Sequence, residues 1–286
     1  MTQLSLTSKN RCFNGEQHYY THDSETTKSE MRFSIYLPDE ALARQTCPAI
    51  LFLSGLTTSP DNATQKAHYQ KKCSELGMIF IVPDTSPKGD DIPDDERYFV
   101  GQGASYYVDA TQSPWSENFN MHTYIIEEFY DLIRLKFPIS SIGIAGHSMG
   151  GHGSIMFGFQ YPSKFISVSA IAPICVSSQS EWGIAAYTKY FGEDSKDSLP
   201  WSKFDAVSAI KQAGKQYPLI LVDQGGVDEF YNTGYLQPEA LHAACQEVNQ
   251  PVTLRYHANY DHSYYFIQTV IEDHIEHHYN ATLTHG

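Results

Sequence analysis

Five consecutive residues, Gly146-His147-Ser148-Met149-Gly150, carry the strongest chemical signal in the chain. A serine hydroxyl is a poor nucleophile near neutral pH. To attack an acyl carbon it needs exposure on a sharp turn, a histidine to take its proton, and a carboxylate to orient that histidine. Glycines two residues to either side suit such a turn, because side chains there would meet neighbouring backbone. Ile142–Ala145 reads as a strand before the motif, and Met149–Tyr161 as a helix after it, closed by Pro162. This strand–serine–helix context points to Ser148 as a nucleophile, with the amide of Met149 at the helix start facing a developing oxyanion. A serine that merely caps a helix is the plainer reading, and the context fits it less well.

The base must come from 13 histidines. On a strand-to-helix elbow the acid and then the histidine follow the serine in the chain. His262, in Tyr260-Asp261-His262-Ser263, lies just after a strand and just before a helix, which would bring it to the sheet edge beside the serine. His147 adjoins the serine, and its side chain should diverge from the hydroxyl into packing or loop bonding. His152, a helical turn on, reads as packing. His274, His277 and His278 sit among Glu272, Asp273 and Glu276, a pattern closer to a solvated charged face than to a metal site. For the acid, Asp223 at a strand end and Asp228 further into the loop both qualify, and the residues alone leave the choice open. The unused one should cap or brace the turn. Asp261 is a poor candidate, since adjacent side chains point apart. A second oxyanion donor is expected in the loop Ser54-Gly55-Leu56-Thr57, at the amide of Leu56, although a plain β-turn explains that loop equally well.

The elements that would hold these groups alternate. Strands are expected at Phe33–Leu37, Ala49–Leu53, Met78–Val82, Phe165–Ile171, Leu219–Val222 and Val252–Tyr256. Helices are expected at Gln65–Leu76, Met121–Phe137, Phe204–Ala213, Glu239–Val248 and Ser263–Tyr279. Such alternation implies an α/β fold of the α/β-hydrolase type, one domain over residues 1–286, with a mainly parallel central sheet and helices on both faces. The stretch Lys88–Ser113 fits neither period and reads as a solvated excursion rather than a substrate-facing loop. A net charge of −14 speaks against nucleic acid and against anionic lipid as partners. Five scattered cysteines without a C-x-x-C indicate neither a disulfide framework nor a zinc site. The N-terminal residues lack an apolar signal-peptide core, and no stretch reaches membrane-spanning length, so the cytoplasm is the expected location.

Seven blocks then share one likeness. SGLT at 54–57, VPDTSP at 82–87, YVDAT at 107–111, GHSMGGHG at 146–153, APIC at 172–175, DQG at 223–225 and DHSYYF at 261–266 together resemble S-formylglutathione hydrolases, the esterase D family. The resemblance runs from about residue 10 to 280. It implies hydrolysis of S-formylglutathione to formate and glutathione, in glutathione-dependent formaldehyde detoxification. It also implies a cytoplasmic enzyme, commonly a homodimer, with no cofactor. It assigns the acid to Asp228 through the family's DQG-x-x-D pattern, and matches Ser148, His262, Leu56 and Met149 to nucleophile, base and oxyanion donors. Two departures stand out. Thr58 replaces the cysteine that makes relatives sensitive to thiol reagents, and Ser105 and Tyr106 alter the usual G-x-G-A-G-F-Y-V-D-A-T run. The alternatives are a general short-chain carboxylesterase or thioesterase and, further off, a non-catalytic binding protein on the same scaffold.

Overall fold

The computed structural model describes residues 3–193 and 199–284. Among the described residues nine strands lie in one sheet: β1 (Ser5–Arg11), β2 (Gly15–Ser24), β3 (Ser29–Pro38), β4 (Cys47–Leu53), β5 (Ile79–Pro83), β6 (Ile139–His147), β7 (Val168–Ile171), β8 (Ile220–Gly225) and β9 (Val252–His257). Their order is β1-β2-β3-β5-β4-β6-β7-β8-β9. The first three strands form an antiparallel meander joined antiparallel to β5, and the strands from β5 to β9 run parallel. The parallel centre is apolar on both sides of each strand, as it must be under two layers of helices: every residue of β5, and Ala49–Leu53 of β4, is buried. Two groups of helices cover the sheet. Tyr264–Thr284 packs on Pro60–Lys66 and Gln70–Leu76, while Met149–Gln160 packs on Ala206–Ala213.

Several expected elements differ in form. Phe33–Leu37 is the inner part of a longer strand. The two strands outside it, β2 and then β1, escape a reading of the sequence, because their polar, mostly exposed or half-buried residues lack a clear two-residue alternation. The expected helix Gln65–Leu76 is two helices, Pro60–Lys66 and Gln70–Leu76, separated where His68 adopts a φ of 59°. Met121–Phe137 is helical, with a π-helical stretch at Tyr124–Phe129. The acidic part of Lys88–Ser113 is exposed or half-buried, but residues from Val100 to Val108 are largely buried, so the excursion folds back onto the body.

The tail histidines require a larger correction. His274 and His278 are buried rather than solvated, because the helix Tyr264–Thr284 turns that face onto the sheet. His278 bridges the hydroxyls of Ser167 (2.7 Å) and Ser169 (2.9 Å), His277 donates from Nε2 to the carbonyl of Val168 (3.0 Å), and His274 reaches Asp223. Each of these ring atoms thereby exchanges water for a fixed partner, which the charges beside it in sequence do not reveal.

Candidate active site

β6 ends at His147 and the next helix begins at Met149, so Ser148 occupies the junction alone. Its φ of 57° and ψ of −117° are strained for a residue with a side chain. The turn closes tightly: a Cβ at Gly146 would strike the carbonyl of Gly150, and one at Gly150 would strike that of Leu53. The Ser148 amide donates to the Ile171 carbonyl (3.0 Å), and its own carbonyl accepts from the amides of His152 (3.0 Å) and Ile174 (3.1 Å). The strain is therefore held by backbone on either side of the turn. The amides of Leu56 and Met149 donate to no described residue, which leaves both free for an external acceptor.

His262 stands between β9 and the C-terminal helix. Its Nδ1 lies 2.6 Å from Oδ2 of Asp228, and a carboxylate partner fixes the proton on Nδ1 and the lone pair on Nε2. Asp228 is fully buried. Its Oδ1 accepts from the amides of Phe230 (2.8 Å) and Tyr231 (3.3 Å), and its Oδ2 accepts also from the Gln224 side-chain amide (3.1 Å). The loops that carry Asp228 and His262 are tied by backbone: Gly226 donates to the His257 carbonyl (2.8 Å) and Val227 to that of Tyr260 (3.0 Å). Glycine is required at 225, where a Cβ would lie 2.5 and 2.6 Å from the carbonyl oxygens of Tyr260 and Asp261.

Asp223, the other acid that the residues allowed, is bonded elsewhere. It accepts from Arg255 Nε (2.6 Å) and Nη2 (2.5 Å), from His257 (3.0 Å) and from His274 (3.0 Å). Burial would raise its pKa, but the Arg255 guanidinium and His274 outweigh that and hold the carboxyl well below its usual range. It does not cap a turn; it clamps β8, β9 and the last helix around the loop that carries His262. Asp261 accepts from the amide and hydroxyl of Ser263, away from the His262–Asp228 bond.

Ser148, His262, Leu56 and Thr58 line one cavity of about 200 Å³. The rest of its wall is mainly apolar, and Trp182 is its hub, with ring centres of Tyr98, Phe230 and Tyr235 at 5.2, 5.4 and 4.4 Å. The high content of Tyr and Phe suits a pocket built of large side chains, but no motif in the sequence marks which of them line it. Tyr98 and Tyr106 bring part of the 88–113 excursion to the cavity, contrary to the solvated reading. His147 also lines it, its ring centre 4.5 Å from that of His262. Burial, and then the neighbouring His262, push its pKa well below the usual value, so it packs as a neutral ring. His152 is buried, with Nδ1 3.2 Å from the hydroxyl of Ser177, and burial lowers its pKa to about 4. Thr58 donates to the Gly55 carbonyl (2.7 Å), and the buried Ser105 hydroxyl bonds the Thr85 carbonyl beneath Tyr106. None of the five cysteines lines the cavity. Among the described residues no cluster of three or more His, Cys, Asp or Glu is placed to hold a metal ion, and no helix is long and apolar enough to cross a membrane.

Known proteins resemble this chain over nearly its whole length. The family model described as "Putative esterase" matches residues 24–284. The S-formylglutathione hydrolase of Mus musculus is 44% identical over 278 residues, 96% of this chain and 97% of its own. That of Paracoccus denitrificans is 42% identical over 274 residues, 95% of each chain. The solved S-formylglutathione hydrolase of Agrobacterium tumefaciens superposes with a TM-score of 0.92 at 41% identity, covering 96% of this chain and 99% of that one. With an elbow serine, a carboxylate-held histidine and this extent of likeness, the chain belongs to the S-formylglutathione hydrolase family of esterases.

Proposed function

We propose that the protein hydrolyses S-formylglutathione to formate and glutathione, with Ser148 as nucleophile, His262 as base and Asp228 as orienting acid. The observation that carries this reading is the 2.6 Å bond from His262 to the buried Asp228, beside a strained Ser148 in a small apolar cavity. Nε2 of His262 takes the hydroxyl proton as Oγ of Ser148 attacks the thioester carbonyl. The amides of Leu56 and Met149 stabilise the resulting oxyanion, each worth about 3 kcal/mol. The C–S bond breaks and the sulfur leaves as glutathione thiol, taking the proton from His262. Water, deprotonated by the same nitrogen, then releases formate from formyl-Ser148. Asp228 holds the tautomer and stabilises the imidazolium in both halves.

Every step uses side chains and backbone of this chain, so the chemistry calls for no cofactor. The proposal includes side activity on short acyl esters, a single functional domain, homodimerisation, and a cytoplasmic role in formaldehyde detoxification. Steady-state kinetics test its centre. kcat/KM on S-formylglutathione should exceed that on p-nitrophenyl acetate; equal values would favour a general short-chain esterase.

A further inference from the structure

The cavity at Ser148 has room for an acyl group and the first atoms of a leaving thiol, but no lysine or arginine lines it. A glutathione thioester carries two carboxylates and one ammonium, and this chain has a net charge of −14. Such a substrate needs a local cation to offset the general repulsion. The surroundings of the cavity differ on two sides. Toward Trp182 lie carboxylates: the Tyr235 hydroxyl donates to Glu181 (3.0 Å), and Glu229 follows Asp228. On the side of His262, a groove distinct from the cavity separates Pro60–Lys66, the helix after the Leu56 loop, from the start of Tyr264–Thr284, the helix after His262. Gln65, Lys66, His68, Ser263, Tyr264 and Gln268 line it.

Lys66 is exposed, and its ammonium has no ion pair or hydrogen bond among the described residues. The neighbouring cations are occupied: Lys72 bonds Glu272 and Glu276, and Lys88, beside Thr58, bonds Asp84. Nζ of Lys66 lies 5.9 Å from the centre of the Tyr264 ring, that ring 6.1 Å from His147, and His147 4.5 Å from His262. One tyrosine and one histidine ring thus separate a free cation from the base.

We infer that this groove seats the peptide part of the glutathione thioester, with Lys66 bonding a substrate carboxylate and Tyr264 forming the floor. This rests on the thioesterase reading above. The groove lies between the helix that follows the Leu56 loop and the helix that follows His262. A peptide held there would therefore orient its thioester with respect to both.

The test compares S-formylglutathione with S-formyl-N-acetylcysteamine, the same formyl thioester without carboxylates. In Lys66→Gln, KM for S-formylglutathione should rise about fivefold with kcat within twofold, and Lys66→Arg should restore it. The ratio of kcat/KM between the two thioesters should fall by the same factor, a readout that partial misfolding leaves in place. Added salt should raise the wild-type KM for S-formylglutathione more than that of Lys66→Gln. An unchanged ratio in Lys66→Gln overturns the assignment. Inhibition of p-nitrophenyl acetate hydrolysis by glutathione separates the two levels of argument. A Ki that rises in Lys66→Gln supports the groove even if wild-type enzyme shows no preference for S-formylglutathione, a result that would sink only the substrate reading.

Discussion

Exchanging aspartate for asparagine at positions 223 and 228 separates structural support from chemistry. The two side chains lie five residues apart and both are fully buried. Asp223 accepts two bonds from Arg255 and one from each of two histidines, so Asp223→Asn would turn an amide donor toward groups that donate. Breaking a buried ion pair from one side costs about 3–5 kcal/mol. The low end applies here, because Arg255 is one-third exposed and keeps Asp273 at 2.6 Å. At about 2–4 °C per kcal/mol for a chain of this size, Asp223→Asn should lower Tm by about 6–12 °C. Below its transition the variant should retain most of its kcat, since the His262–Asp228 bond involves none of these atoms. Asp228→Asn should do the reverse. It keeps much of the shape but favours the wrong histidine tautomer, so kcat should fall by about 10⁴ while Tm moves less. Thermal unfolding followed by circular dichroism, and kcat on S-formylglutathione at about 20 °C, well below the usual range of unfolding midpoints, read both effects on the same samples. A folded Asp223→Asn protein with the greater loss of kcat would refute the assignment of roles.

Other outcomes follow from the same geometry. Ser148→Ala should fold normally and lose turnover by several orders of magnitude, together with labelling by a fluorophosphonate probe; near-normal activity would remove the nucleophile. Activity should resist iodoacetamide, because Thr58 has no thiol and burial pushes the Cys73 and Cys175 thiols well above their ordinary range, whereas Thr58→Cys should confer sensitivity. Rapid inactivation of the wild type, prevented by substrate, would show a cysteine at the site. A cavity of about 200 Å³ should favour formyl and acetyl over longer chains, each extra methylene costing about 1–3 kcal/mol of transition-state binding; a flat profile of kcat/KM from acetyl to octanoyl esters would contradict it. Burial lowers the pKa of His152 and His277 to about 4, and those of His147 and His278 well below normal. Their folded values lie under the unfolded value, so their contribution is complete above about pH 6.5 and is lost as pH falls toward 4. Asp205, raised to about 6 by burial, opposes this by up to one proton. Stability in urea should still fall by at least about 1.4 kcal/mol per unit between about pH 6 and 5.

Features built from residues adjacent in the chain are legible in the sequence. The elbow is one such case: a strand, a serine flanked by glycines and a helix are successive, so local sterics specify the turn, and Ser148 with its φ of 57° stands where the motif places it. The parallel strands are legible too, as short apolar runs, because burial on both faces removes the need for alternation. Groups that meet only across the sheet are not. Nothing local distinguishes Asp223 from Asp228; one faces Arg255 and two histidines and the other faces His262, because β8, β9 and the last helix bring those partners together. Likewise the sequence around His274 and His278 is charged, and only the packing of that helix on β7 and β8 turns the two rings inward to fixed partners. The aromatic wall around Trp182 joins Tyr98 of the 88–113 excursion to Phe230 and Tyr235, on and just after the short helix Glu229–Asn232. Side-chain chemistry and local strain are properties of short segments, whereas burial and partnership depend on contacts between segments distant in the chain, and those exist only once it has folded.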